Sequence, residues 1–288
     1  MVSVEKSSSL RESEPEMNVL YVVGTPIGNL QDISERSKNL LSKVSCILCE
    51  DTRNTKKLLN LLNINNNLIS FNEFNSAIKT ENIIKKLKNG SSIALVSDAG
   101  MPSISDPGQY LVKKARENNI EVICSPGPCA AITGLVSSGF STESFLFIGF
   151  VSKKKYEREK YFKMISNNPF TTIVYESPKR IKSFLKELKN YCGGERSVHI
   201  SKELTKKFET HWTGNLQAII KDLESTTQKG EFTIVIEGKD INEELDINEK
   251  DLKNELDLLI KHGLKRSSAA SYLANKNKIP KNFIYNLK

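Results

Sequence analysis

Five short apolar runs alternate with helix-like segments over the first half of the chain: VLYVV (19–23), SCILCED (45–51), NLISFN (67–72), SIALVSD (92–98) and IEVICSP (120–126). This alternation constrains the fold more than any other feature. Strands apolar on both faces have no side to give to water, so they pair in parallel and are covered by the helices that connect them. Those helices are read over 32–41, from 52 through KKLLNLL, over 76–88 with Ile83, Ile84 and Leu87 on one side, and over 109–118. Their apolar residues recur at helical spacing.

The strands end in unusual loops. GTPIGN follows the first, EDTRN the second, SDAGMPSISDPG the fourth and SPGP the fifth. The stretch 96–108 holds two Asp, two Gly and two Pro in thirteen residues. A bare connection needs only about two to six residues. Each X-Pro step keeps the preceding residue extended, and each Gly opens conformations and close approaches closed to other residues. Such a loop is shaped around something. In open α/β sheets, ligands bind beyond the carboxyl ends of strands, and these loops lie there.

SPGPCAA (125–131) marks a boundary, because Pro-Gly-Pro fits neither a helix interior nor a central strand. After a helix over 130–138 the strands SFLFIGF, TTIVYESP, SVHISKEL and EFTIVIEG follow, separated by helices in KKKYEREKYFKMI, KRIKSFLKEL and NLQAIIKDL. YESPKR and SKELTKKFET add two more loops at strand ends, and six such loops imply a cleft between two α/β domains. The expected organisation is a disordered leader at 1–17, an N-terminal α/β domain at 18–125, a C-terminal α/β domain at 126–245 and a helical, helix-turn-helix-like tail at 246–288. The acidic stretch DINEELDINEKD is read as a linker.

Composition narrows the partners. Lys and Arg outnumber Asp and Glu by 42 to 34, a net charge of +8 with a pI near 9.1. That balance favours contact with a polyanion without saying which. The basic runs at 56–59, 152–160 and 179–182 fit an RNA face, and the tail with Lys261, Lys265 and Arg266 fits an RNA grip, a dimer support or a cap on the second domain equally well. Each run alone is more often a solvated helix surface. Cys46 and Cys49 spell C-x-x-C, but positions i and i+3 of a strand face opposite sides. No second Cys or His pair completes a zinc set, so no metal is expected. His199, His211 and His262 are scattered and read as structural or surface residues. No apolar run approaches the ~20 residues of a membrane span, and a cytoplasmic protein is expected.

Several chemistries are excluded by motif. There is no G-x-x-x-x-G-K-[ST] phosphate loop, and GTPIGN lacks the G-x-G-x-x-G of a dinucleotide fold. No G-x-S-x-G elbow stands ready for a hydrolase. What remains is a pocket rich in backbone groups with few charges. It suits an adenosine-like ligand held by main-chain groups and by the Asp98 carboxylate.

Six motifs, VGTPIGNLQDISERS, CEDTRNTKKLL, VSDAGMPSISDPG, SPGPCAA, YESPKRI and KELTKKFET, occur in this order over roughly 18–240. Together they resemble the tetrapyrrole-methylase superfamily, and within it the branch that 2′-O-methylates a cytidine ribose in 16S ribosomal RNA. The resemblance implies S-adenosylmethionine in the interdomain cleft. It places cofactor contacts on Pro26, Asp98, Gly100, Met101, Ile104, Cys129, Ala130, Tyr175 and Leu204. It also implies 16S RNA or an assembled small subunit as partner, and a homodimer. Lys202 stands where the family commonly has Arg, which keeps the charge and loses the bidentate fork.

Methyl transfer to a ribose hydroxyl is an in-line displacement in which alignment supplies much of the rate. The weak alcohol must lose its proton. Asp51 or Glu203 is the expected proton acceptor, with Arg53 and Lys202 on RNA phosphate; the alternative is that Glu50 and Asp51 cap the next helix and pair with Arg53. Two rival functions stay open at this point: a small-molecule, tetrapyrrole-like methyltransferase, and a non-catalytic RNA-binding ribosome-assembly protein.

Overall fold

The two faces of each early strand feed two different cores. The computed structural model describes residues 13–224, 229–240, 249–277 and 279–287. In it β1 (Val19–Val23) sends Val19, Tyr21 and Val23 to one side of the first sheet and Leu20 to the other. β2 (Cys46–Cys49) divides the same way, with Ile47 and Cys49 on one side and Cys46 and Leu48 on the other. The C-x-x-C thiols therefore point apart, both buried. With β3 (Leu68–Ser70), β4 (Ile93–Leu95) and β5 (Glu121–Ser125) they form a sheet of order β3-β2-β4-β1-β5, every pair parallel. α1 (Glu35–Lys43), α2 (Thr52–Leu61), α3 (Ser76–Lys88) and α4 (Gln109–Glu117) make the connections. β1 and β4 are neighbours, so the loops leaving their carboxyl ends start side by side.

α5 (Ala130–Ser138) leads into the second sheet: β6 (Phe145–Phe150), β7 (Thr171–Glu176), β8 (Ser197–Lys202), β9 (Thr210–Asn215) and β10 (Phe232–Ile236). Its helices are α6 (Lys155–Asn167), α7 (Ile181–Cys192) and α8 (Leu216–Glu224). The strand order is β6-β7-β10-β8-β9, with β6 and β7 parallel and the other pairs antiparallel. β9 is absent from the sequence reading. THWTGN is a polar, largely exposed edge strand, so it carries no alternating apolar signal. Its register with β8 runs from Ser197–Asn215 to Lys202–Thr210.

Contacts group the residues up to Gly238 into one compact unit and those from Lys239 into another. The second unit holds α9 (Glu249–Lys261), α10 (Arg266–Asn277) and α11 (Lys281–Tyr285) around a small core that includes Leu256, Leu273 and Ile284. The linker reading covers 240–251; 241–248 lie outside the described residues, as does the leader reading for 1–12, and the last three linker positions are instead the start of α9. Residues 13–17 correct the rest of that leader. Glu14 is buried and takes both Arg36 hydrogen bonds, at 2.6 and 2.7 Å, and Glu16 donates its N–H to Tyr21 Oη at 2.8 Å. A short acidic segment found a cation on α1, a pairing that composition cannot announce. No helix among the described residues is long and apolar enough to cross a membrane, and none of their His, Cys, Asp and Glu form a group of three or more suited to a metal ion.

Candidate active site

The loops after β1 and β4 are stitched together by backbone. Thr25 donates its N–H to Gly100 O at 2.9 Å, and Gly100 returns its own to Thr25 O at 3.1 Å. Gly24 donates to Ser125 O at 3.1 Å, which brings in the end of β5. A Cβ on Gly24 would lie 2.6 Å from Gly127 Cα, so the close approach of the first and third loops requires glycine. Between β4 and α4 the chain passes through positive φ at Gly100, Ser103, Ser105 and Gly108. Two of these are serines, and non-glycine residues in that region store local strain. This is the contorted turn that the Pro and Gly pattern predicts.

The loops wall a cavity of about 340 Å³, completed by α5, β6, β7 and β10 of the second sheet. That is the size of a small-molecule site. Asp98, Gly100, Met101, Ile104, Cys129, Ala130 and Tyr175 all line it. Pro26 and Leu204 do not. Ile27, the next residue along, takes the wall position from Pro26, and Leu204 is buried in the protein.

The lining has a distinctive charge. Four acidic residues, Asp98, Asp106, Glu176 and Glu231, line the cavity, and among its lining residues there is no Lys, Arg or His. Asp98 is held by the Asp51 N–H at 3.2 Å and the Asn54 amide at 2.8 Å. Glu176 accepts the Ser177 N–H at 2.6 Å and lies 3.2 Å from Arg180. Glu231 is 3.0 Å from Lys206. Burial raises the Asp106 carboxyl to about 6, opposed by a hydrogen bond from Ser97 and reinforced by Glu50 and Asp98. Burial also raises the Tyr175 phenol, with Cys129 adding to the shift, so the ring stays neutral. Tyr175 accepts the Ala131 N–H at 2.9 Å, and Phe147 and Phe150 pack on its ring at 5.0 and 5.6 Å. The site therefore suits a cationic ligand with an aromatic part and resists phosphates.

The four expected catalytic residues lie outside this lining. Asp51 is the N-cap of α2, accepting the Arg53 N–H at 2.8 Å, and it also carries the Arg53 guanidinium at 2.6 Å. Hydrogen bonds from Arg53 hold its carboxyl down at about 2. The capping alternative holds for Asp51 and not for Glu50, which neither caps α2 nor pairs with Arg53. A carboxylate paired like that of Asp51 is a poor proton acceptor. Glu203 accepts from Lys206 and from the Glu231 N–H, both at 3.0 Å. Burial raises its carboxyl, but these partners outweigh it and the net shift is downward. Lys202 ends β8 beside it. The loop these residues share meets the first domain where Asn29 donates its N–H to Thr205 Oγ1 at 3.0 Å.

The sequence reading passed over Ile27, Ser105, Asp106, Phe150, Glu176, Ser177, Pro178, Glu231 and Thr233. Asp106 and Glu176 sat inside quoted motifs, each followed closely by proline, and that signal was available. Glu231 had none, because its place depends on strand β10 lying between β7 and β8.

A parallel and a mixed α/β sheet, with a largely apolar cleft carrying acidic residues at their loop ends, have the architecture of a class of methyltransferases. The sequence model of the tetrapyrrole (corrin/porphyrin) methylases matches residues 19–220. The chain belongs to that family, and within it to the group of ribosomal RNA small subunit methyltransferase I proteins. One member of that group, from Synechocystis sp., is 43% identical over 94% of this chain and 97% of its own length. The Bacillus subtilis member is 37% identical over 94% of both chains. Among solved structures, diphthine synthase superposes with a TM-score of 0.59 at 12% identity, covering 77% of this chain and 90% of its own. Uroporphyrin-III-C-methyltransferase from Thermus thermophilus gives 0.53 at 15% identity, covering 76% and 94%. These two show the shared fold. The methyl donor of the family is S-adenosylmethionine, and the cavity fits it: the lining carries carboxylates for a sulfonium and an ammonium, and aromatic rings for an adenine.

Proposed function

We propose that the protein transfers a methyl group to the 2′-hydroxyl of a cytidine ribose in 16S ribosomal RNA. The observation that carries this reading is the combination of near full-length similarity to small-subunit RNA methyltransferases with a cleft that has the acidic character of a sulfonium site. The target sugar and base rest on the six-motif resemblance.

When bound, S-adenosylmethionine supplies a methyl group on positively charged sulfur. In this reading Asp98 binds ribose hydroxyls, and Gly100, Met101, Ile104, Cys129 and Ala130 shape the pocket around the adenosine. Tyr175 supports the α5 terminus from below. Arg53, whose side chain is 83% exposed, contacts RNA phosphate, with Lys202 beside the Glu203 loop as a second cation. Asp51 holds Arg53, and Glu203 pairs with Lys206 beside Lys202. The proposed compartment is the cytoplasm, where ribosomal RNA is found, and the proposed assembly is a homodimer, checked by mass from solution scattering.

The test is a transfer assay. Purified protein is mixed with labelled S-adenosylmethionine and small ribosomal subunits from a strain lacking this modification, followed by nuclease digestion and nucleoside analysis. Labelled 2′-O-methylcytidine is the expected product. Label on a base instead of a ribose rejects the reading, and no label in RNA points to a small-molecule acceptor.

A further inference from the structure

Four acidic residues line the cleft, and three are already committed. Asp98 is held by a backbone N–H and an amide, Glu176 by a backbone N–H and Arg180, and Glu231 by Lys206. Asp106 is different. It is half-buried on the wall of the cavity, in the strained segment between Ser105 and Gly108. Among the described residues no cation or backbone N–H pairs with it, and the nearby Ser97 side chain favours its charged form. The groups whose charges reach it are Glu50 at the end of β2, Asp98 after β4, and Tyr175 on β7. None of these is a cation.

We propose that Asp106 is the catalytic base of the reaction, the group that takes the proton from the attacking ribose hydroxyl. The proposal rests on the 2′-O-methylation reading above. A base must be unprotonated before the reaction, able to hold a proton afterwards, and open to the acceptor. An ion-paired carboxylate fails the second condition, because its cation holds it ionised. That sets aside Asp51 with Arg53 and Glu203 with Lys206, whose carboxyls are held down, while Glu176 and Glu231 each already face a cation, Arg180 and Lys206. Among the described residues Asp106 has no cation to hold it, and it lines the cleft where the acceptor would meet the methyl donor. Burial tunes it to about 6, close to the working pH. The step balances. The O–H bond breaks and its proton passes to an Asp106 carboxylate oxygen. The ribose oxygen bonds to the methyl carbon as the methyl–sulfur bond breaks, and that electron pair stays on sulfur, which becomes neutral. The proton leaves Asp106 to solvent after product release.

The experiment compares wild type with Asp106→Asn and Asp106→Glu. It measures kcat and KM on modification-deficient small subunits from pH 5 to 8.5, and calorimetric affinity for S-adenosylhomocysteine. For Asp106→Asn, kcat is expected to fall at least about a hundredfold, the scale of a lost general base. Cofactor-product affinity is expected to stay within about threefold of wild type, and Asp106→Glu to recover part of the rate. Wild-type kcat is expected to fall about tenfold per unit below pH about 6 and to level off above it. If Asp106→Asn keeps kcat within about threefold, the proposal is overturned. A parallel loss of kcat and S-adenosylhomocysteine affinity also overturns it, since Asp106 would then be a cofactor ligand. Should Asp106→Asn fail to fold, as judged by its thermal transition, the wild-type profile decides, and a kcat flat from pH 5 to 8.5 overturns the assignment. Failure of the underlying reading looks different: wild type would then yield no 2′-O-methylated nucleoside at any pH.

Discussion

Tyr175 accepts the backbone N–H of Ala131 through its phenol oxygen at 2.9 Å, and this bond ties β7 of the second sheet to the first turn of α5. Both residues line the cleft or flank it, so the bond sets the distance between two of its walls. Tyr175→Phe keeps the ring and its packing on Phe147 and Phe150 but removes the acceptor. The Ala131 N–H loses its partner in a part-buried place, which costs about 1–3 kcal/mol. Affinity for S-adenosylhomocysteine is expected to drop about tenfold, since 1.4 kcal/mol is a factor of ten. Calorimetry checks it, and unchanged affinity would show that the wall holds without the bond.

The approach of Gly24 to Gly127 makes a second prediction. A Cβ at position 24 would sit 2.6 Å from Gly127 Cα and 2.8 Å from its nitrogen, against backbone that cannot swing aside. Gly24→Ala must push the first loop away from the Pro-Gly-Pro step. Overpacking of this kind costs about 1–3 kcal/mol. Secondary structure by circular dichroism is expected to survive, while cofactor binding by calorimetry weakens at least about tenfold, because both loops wall the cleft. A variant that melts early yet binds normally would place the strain outside the site.

How much of this was legible in sequence depends on where each signal lived. The alternation of apolar runs and helices fixed β1 to β5 as a parallel sheet, because burial on both faces leaves no other pairing. The contorted loop after β4 was readable from its prolines and glycines. β9 was not, since an exposed edge strand such as THWTGN needs no apolar period. The cleft was only half visible. Residues within one loop were found from the loop itself, while Glu231 and Thr233 reach the cavity through the order of strands in the second sheet. Asp51 showed the opposite problem. Its residue type suggested acid–base chemistry, yet one position of chain separates it from the start of α2, and a helix start captures an aspartate as its cap.

That capture gives the third prediction. Asp51→Ala is expected to leave kcat within about threefold of wild type, well short of the hundredfold or more of a lost base. It is expected to lower the thermal midpoint, because α2 loses its cap and Arg53 its partner. The pH sign follows from the depressed carboxyl. Its stabilisation is present above the ordinary carboxylate range and is lost as pH falls toward about 2. A midpoint difference between wild type and Asp51→Ala that persists at pH 2 would rule out the ion pair as its source.

His199 offers a pH dependence that belongs to the fold alone. Its ring is buried on β8, 2% exposed, with Nδ1 2.6 Å from Thr213 Oγ1 and Nε2 3.0 Å from Ser201 Oγ. His211 stacks on it at 5.3 Å. Burial, then the His211 charge, lowers its pKa to about 4. The unfolded chain binds a proton at this residue near 6.5 while the folded chain does not, so stability is complete above about 6.5 and is lost as pH falls toward about 4. At pH about 5 the loss from this one residue is on the order of 2 kcal/mol. Urea unfolding at pH 7.5 and 5 measures it. His199→Gln is expected to be less stable at pH 7.5, through imperfect replacement of the two hydrogen bonds, and to lose about 2 kcal/mol less than wild type on going to pH 5. Equal losses in the two proteins would assign the acid sensitivity to carboxylates elsewhere.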